Sequence, residues 1–245
     1  MLGKFVMNEN WKFGEPINYE AMRPFSPLVL KTKMTSFMID SINEELDRIL
    51  VDPKESLERD GTSVLAGNLQ REEGSGQILL EEDYLRSSGV GGWLSTLATA
   101  WKDEVKGDLL FWEGDQDNPD KHGAKSHDWE KMYPYLTGVW CNNYIEGDFN
   151  PMHWHPAGHL SGVGFLKIPD DMSTARGSGE LNLMYGSPVE FTHTLWRITP
   201  EAGDFYFFPA WMIHSVNPFR SKGERRSMSF NVIYSTTEPE EKKEE

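Results

Sequence analysis

Three of the chain's seven histidines fall within seven residues, in Asn150-Pro-Met-His153-Trp-His155-Pro-Ala-Gly-His159. His153 and His155 are two apart, and on an extended strand such positions point to one face. Two imidazoles on one face can reach one metal ion, and neutral imidazole suits iron, zinc, copper and nickel. Pro151 and Pro156 bracket the pair and keep the segment extended rather than helical. A histidine-rich polar turn is the plain alternative. A second stretch lies far downstream: Gly203-Asp-Phe-Tyr-Phe-Phe-Pro-Ala-Trp-Met-Ile-His214-Ser-Val, followed by Gly223-Glu-Arg225-Arg-Ser-Met-Ser-Phe-Asn231. A lone His in an apolar strand is usually a satisfied core residue. Here it is followed by a buried-looking Arg, which needs an anionic partner. Arginine is the side chain suited to bidentate carboxylate binding.

Taken together, these residues resemble the iron- and 2-oxoglutarate-dependent dioxygenases. That superfamily shows His-x-Asp/Glu, a distal His and an Arg-x-Ser pair. The sequence is most similar to a bacterial and bacteriophage branch of 2-oxoglutarate–iron(II) oxygenases. The landmarks read Trp140-Cys-Asn142, Gly147-Asp148, His153-Trp-His155-Pro156, Ser161-Gly-Val163, Gly203-Asp204…Phe208-Pro209, His214 and Arg225…Ser229-Phe-Asn231. They are dense in the C-terminal part of the chain and loose in the N-terminal half. The resemblance implies a jelly roll with Fe(II) held by His153, His155 and His214 at one mouth. It implies that Arg225 and Ser227 hold the distal carboxylate of 2-oxoglutarate, whose 2-oxo acid end chelates the iron. Asn142 and Tyr144 alternate on the preceding strand and are candidates to point inward, with Tyr144 bonding the cosubstrate. An ordinary strand aromatic is the other reading of Tyr144. The implied reaction converts 2-oxoglutarate and O2 to succinate and CO2 while oxidising a peptide side chain or a small molecule. One departure stands out: position 155 carries His where the family pattern has a carboxylate. Either three imidazoles hold the iron, or His159 or Asp148 completes the set. His155 is the preferred ligand because its spacing keeps the facing of the usual motif.

Three other readings compete. A cupin-like three-His metalloenzyme that does not use 2-oxoglutarate would leave Arg225 without a role. A nucleic-acid dealkylase of the same superfamily is disfavoured by charge. A binding module with a degenerate site fits poorly with three histidines and an Arg-x-Ser pair kept together.

The net charge is −15 with a pI near 4.9, which argues against long-range attraction to free nucleic acid or an anionic membrane. No apolar run approaches the length of a transmembrane helix, and the start has no long apolar region of secretory type. The one cysteine, Cys141, excludes an intrachain disulfide and fits a reducing cytoplasm. It reads as a small buried hydrophobe rather than a reactive thiol. The expected partner is a small-molecule or peptide substrate. The oligomeric state stays open, a homodimer included.

These residues need a scaffold. From Pro134 the pattern is one of short strands and turns, near 136–145, 151–155, 160–168, 179–184, 194–198, 204–208, 211–216 and 226–234. Eight such strands suggest a mainly β fold, a double-stranded β-helix or jelly roll. Upstream, the spacing predicts a helix over 34–51, capped by Thr35 or Ser36 and stopped by Pro53. A second helix is expected over 92–106, with Trp93, Leu94, Leu97, Trp101 and Val105 on one face and Gly107 as its C-cap. Phe25–Leu30 is a strand candidate. Residues 52–84 read as a long polar loop, either a lid over the site or a surface insertion. Residues 114–130 read as a second loop, whose His122 and His127 are not expected to be ligands. The expected organisation is one domain over 1–237, helical to about 133 and jelly roll over 134–234, with 238–245 a disordered acidic tail. On the last strand, Arg225, Ser227, Ser229 and Asn231 share one face, and Arg226, Met228, Phe230 and Val232 the other. Pattern alone puts the apolar face inside the barrel. The resemblance, with two amphipathic helices needing cover, puts the polar face inside.

Overall fold

The computed structural model describes residues 27–62, 67–69, 71–109, 132–170, 172, 177–190 and 192–236, with side chains of 106–109 excepted. Trp11, Phe13, Phe25, the 114–130 segment with its two histidines, and the acidic tail lie outside the described residues.

The chain begins with β1 (Leu30–Lys33), α1 (Ser36–Leu50), α2 (Pro53–Glu58), β2 (Gln77–Leu79), α3 (Glu82–Ser87) and α4 (Val90–Leu109). Eight strands follow: β3 (Tyr133–Tyr144), β4 (Asn150–His153), β5 (Leu160–Lys167), β6 (Leu181–Met184), β7 (Leu195–Ile198), β8 (Asp204–Pro209), β9 (Ile213–Val216) and β10 (Arg225–Ser235). They form two antiparallel sheets. The larger has the order β1-β8-β5-β10-β3-β2 and the smaller β4-β9-β6-β7. This is the expected jelly roll, with β1 and β2 added at the edges of one sheet.

Local chemistry explains the helical start. Thr35 is extended and its hydroxyl accepts from Met38 N, so α1 begins one residue later. Asp52 caps α2, with Pro53 in its first turn. The expected long loop over 52–84 is therefore wrong for its described parts: it holds α2, β2 and the start of α3. Gly107 does not cap α4, which continues to Leu109. Of the described parts of this segment, β2 runs along β3, while Asn68 N donates to Phe149 O at 3.1 Å at the head of β4. Gln77 pairs with Asn142, and Leu69 is buried in the same apolar cluster as Tyr144, Phe165 and Phe219.

The helices cover the outer face of the larger sheet. Ile42, Leu46 and Ile49 of α1 and Leu94, Ala98 and Trp101 of α4 share a buried cluster with Phe205, Phe207, Met228, Phe230 and Val232. Trp93 meets Phe205 edge-on at 5.2 Å, and Tyr234 donates to the carbonyl of Ala98 at 2.7 Å. The apolar face of β10 thus looks out to the helices, and its polar face looks into the space between the sheets. Two glycines on β5 make this packing possible. A Cβ on Gly162 would overlap the Phe230 ring, and one on Gly164 would overlap the Phe205 ring. The Ser161-Gly-Val-Gly-Phe165 pattern is the imprint of two phenyl rings lying flat on the strand.

Candidate metal and cosubstrate site

β4 and β9 are antiparallel, and their register sets His153 directly opposite His214. Their rings lie 4.2 Å apart between centroids, and His155 stands 5.2 Å from each. One nitrogen of each ring lies within 4.8 Å of the others. Three imidazole nitrogens gathered this closely could be offered to one metal ion. The turn after β4 is tied down where His155 N donates to Ala210 O at 2.9 Å.

The rings are prepared for ligation. His153 Nδ1 lies 2.7 Å from the Pro151 carbonyl, and His214 Nδ1 lies 2.9 Å from the Met212 carbonyl. A carbonyl can only accept, so each Nδ1 carries the proton and each Nε2 keeps its lone pair. Burial, followed by the charge of His153, lowers His155 to about 4 and His214 to about 3. Both imidazoles are therefore neutral at ordinary pH, the form a metal requires.

His159 and Asp148 are engaged elsewhere. His159 accepts from Tyr234 N at 2.8 Å and stacks on the Tyr234 ring. Asp148 is held by Arg71 at 2.6 Å and accepts from Ile145 N at 2.8 Å. Among the described residues, the three-histidine cluster contains no carboxylate.

Further along the inner face of β10 sits Arg225, wholly buried. Its guanidinium lies 4.7 Å from the Tyr144 ring centroid and 5.2 Å from that of Phe165. Nη1 reaches Ser227 Oγ at 3.5 Å, while Nε and Nη2 have no hydrogen-bond partner. Gly179, at φ +59°, leaves room for it: a Cβ there would stand 3.2 Å from Arg225 Cδ. A buried guanidinium with two idle nitrogens is costly unless an anion completes it. Tyr144 pairs with Arg225 across β3, and Asn142 with Ser227. Burial pushes the Tyr144 hydroxyl up to about 12, so it remains a donor. Asn142 Oδ1 is also buried without a partner. The four residues therefore line one end of the interior, and Asn231 at the other end of the same face touches His155.

These features fit the groups the sequence pointed to. Three clustered imidazoles suit a divalent transition metal, and Arg225 with Ser227 suits a dicarboxylate. Trp140, Gln77, Leu69 and Asn231 also line or support the site, and none was assigned a role from the sequence. Trp140 lies 5.9 Å from the His155 ring, and its Nε1 donates to the Gln77 amide at 2.8 Å. The alternation of β3 could have indicated Trp140, but nothing local marks Gln77 or Leu69. Cys141 faces the helices, and burial raises its thiol, so it is inert.

Comparison with known proteins bears on the same region. Residues 138–231 match the family described as "Putative 2OG-Fe(II) oxygenase". No curated protein matches the sequence. Among solved structures, AviO1 from Streptomyces viridochromogenes Tue57 is similar at TM-score 0.53 and 11% identity, covering 87% of this chain and 92% of its own. The non-heme alpha-ketoglutarate-dependent epimerase SnoN from nogalamycin biosynthesis is similar at TM-score 0.50 and 12% identity, covering 84% and 76%. These two likenesses concern the fold. Over residues 138–231, less than half of the chain, the sequence is similar to the 2OG-Fe(II) oxygenase family, whose name joins Fe(II) with 2-oxoglutarate, and the three histidines and Arg225 all fall within that stretch.

Proposed function

We propose that the chain is a hydroxylase of this family in which His153, His155 and His214 hold Fe(II). In this reading Arg225 and Ser227 bind the distal carboxylate of 2-oxoglutarate. Tyr144 and Asn142 line the same pocket. The observation that carries the reading is the buried Arg225 with two unpartnered nitrogens, on the strand face that also reaches His155. A cupin-like enzyme without the cosubstrate would leave that charge uncompensated. Bound iron and cosubstrate supply the activation of O2, releasing succinate and CO2. The chain's own residues orient and shield. Arg225 pulls the dicarboxylate inward by a charge-assisted fork. Phe165, Val163, Phe208 and Tyr206 exclude water from the interior. Trp154, exposed between the two histidines of the motif, and the paired Tyr185 and Trp211 offer aromatic surface outside. A peptide side chain or a small molecule is the substrate class in keeping with that surface. The net charge of −15 argues against free nucleic acid.

The shared core of helices and larger sheet supports reading residues 1–237 as one domain. No helix among the described residues is long and apolar enough to cross a membrane. A single, buried cysteine agrees with a cytoplasmic setting.

The test is anaerobic titration of the full chain with Fe(II) and then 2-oxoglutarate. The expected result is stoichiometric binding of each and a visible charge-transfer band. Admitting O2 with candidate substrates should release succinate. Iron binding that persists in both His153→Ala and His214→Ala overturns the metal assignment. Iron binding without any 2-oxoglutarate binding favours the cupin-like enzyme.

A further inference from the structure

We infer that Leu69, carried on a strap from outside the jelly roll, is the back wall of the Arg225 chamber and sets the length of the 2-oxo dicarboxylate the chamber accepts. This deepens the reading of Arg225 as a carboxylate anchor and rests on it. The strap belongs to the 52–84 segment, whose sequence is polar and broken by glycine. Leu69 is nevertheless wholly buried, in the apolar cluster between the two sheets. Among the described residues, every other buried member of that cluster lies between Tyr144 and Phe219 in the sequence.

Backbone bonds place the strap. Asn68 N donates to Phe149 O at 3.1 Å, beside the smaller sheet. Gly76 N donates to Leu69 O at 3.0 Å, and Asn143 N of the larger sheet donates to Gly76 O at 2.8 Å. Arg71 adds side-chain bonds to the Asn143 carbonyl at 2.7 Å and to Asp148 at 2.6 Å. The strap therefore crosses from one sheet to the other where β3 turns towards β4, and Leu69 fills the gap beneath it. Gly67 and Gly76 permit the close approach: a Cβ on either would run into the Phe149 or the Leu69 carbonyl.

The same turn flanks Arg225. The Tyr144 ring lies 4.7 Å from the guanidinium. Phe219 packs at Gly179, where a Cβ would stand 3.3 Å from Phe219 and 3.2 Å from Arg225 Cδ. Phe219 N donates to Asp148 O at 2.9 Å, on the residue that Arg71 holds. Leu69, Tyr144 and Phe219 share one cluster and close the chamber behind Arg225. The guanidinium has no room to recede, so the span from it to the histidine cluster selects the length of a ligand. 2-Oxoadipate, one methylene longer than 2-oxoglutarate, would need the guanidinium to retreat. One methylene is worth about 10- to 200-fold in selection. Leu69→Ala opens a cavity into which Tyr144, and with it Arg225, can shift. Leu69 is a positioning residue: it acts through Tyr144 and Arg225.

The test is anaerobic calorimetric titration of the full, iron-loaded chain with 2-oxoglutarate and with 2-oxoadipate, with a urea melt to show that each variant is folded. Wild type is expected to prefer 2-oxoglutarate by about tenfold or more. Leu69→Ala should lower that preference about tenfold. Leu69→Val, a smaller truncation that keeps the fold more safely, should lower it by less. Leu69→Met, close in volume, should restore most of it. Ile49→Ala makes a cavity in the other cluster, between α1 and the outer face of the larger sheet. It should lower the urea midpoint and leave the preference at the wild-type value. An unchanged preference in both Leu69→Ala and Leu69→Val, with 2-oxoglutarate still bound, overturns the inference. So does an equal loss of preference in Ile49→Ala, which would make the effect one of general loosening. Failure of the underlying reading looks different: wild type binds neither acid, or Arg225→Ala binds 2-oxoglutarate as tightly as wild type, and the inference falls with it.

Discussion

At the scale of single residues, Arg225 and Arg226 show how adjacent identical side chains take opposite tasks. Strand alternation turns Arg225 inward, onto Tyr144 and Phe165, with two nitrogens idle. It turns Arg226 outward, where it bonds Asp47 at 2.6 Å, Glu224 at 2.9 Å and the Asn43 carbonyl at 3.3 Å. Removing Arg225 should therefore cost cosubstrate binding. Truncating one side of a buried charged pair costs about 3–5 kcal/mol, or roughly two to three and a half orders of magnitude in affinity. Arg225→Lys should restore only part, because an ammonium lacks the planar fork. Arg226→Ala should leave 2-oxoglutarate affinity within about threefold while lowering the denaturation midpoint, since its partners belong to the helix–sheet contact. Calorimetric titration of iron-loaded protein, paired with urea melts, checks both. Weakened cosubstrate binding in Arg226→Ala with Arg225→Ala unaffected would put the strand register off by one.

At the scale of elements, the glycines of β5 carry a comparable contrast. Gly162→Ala forces a methyl into the space of the Phe230 ring, and Gly164→Ala into that of Phe205. Overpacking of this kind costs about 1–3 kcal/mol. Urea midpoints should fall for both, and Gly162→Ala combined with Phe230→Leu should recover part of the loss through relief of the clash. No recovery would mean that the strand backbone, not the ring, resists the substitution. The eight strands of the jelly roll were legible from sequence because each is bounded by Gly, Pro or Asp and carries alternating or apolar character. The facing of β10 was not, because its two faces are individually consistent with either side; the helices decide it. β2, α2 and α3 were also missed, and the strand expected over Phe25–Leu30 lies instead at Leu30–Lys33, as β1. They are three to six residues long, too short for a periodic signal, and exist because β8 and β3 offer them free edges or because Asp52 and Pro53 nucleate a turn. Within the candidate site, the grouping of the three histidines followed from residue type and spacing, whereas the inward facing of Arg225 came only with the resemblance. Gln77 and Leu69 were not legible, because they arrive from a segment whose local sequence reads as polar and glycine-broken.

At the scale of the whole molecule, two charged clasps fasten the N-terminal elements to the jelly roll. Asp204 on β8, almost fully buried, binds Lys31 at 2.6 Å and Lys33 at 3.1 Å, which fixes the edge strand β1. Glu224 binds Arg226 and, at 3.0 Å, Lys167, and Arg226 carries the contact on to Asp47 of α1. Burial pushes both carboxyls up, but the hydrogen bonds and charges of the lysines and Arg226 prevail and hold both below the usual carboxylate range. The sign of the pH dependence follows. A carboxyl with a lowered folded pKa takes up a proton more readily in the unfolded chain. Its contribution to stability is complete above the unfolded value, about 4, and is lost as pH falls through the lower folded value. Metal-free wild type should therefore lose more stability between pH 5 and about 3 than the double variant Asp204→Asn, Glu224→Gln, in urea melts compared at each pH. The histidines titrate in both chains alike and cancel in the difference. At pH 7 the double variant should already be the less stable of the two, with the gap narrowing as acid is added. A gap that stays constant down to pH 3 would mean that neither clasp is linked to protonation and that apolar packing alone holds the helices on the sheet.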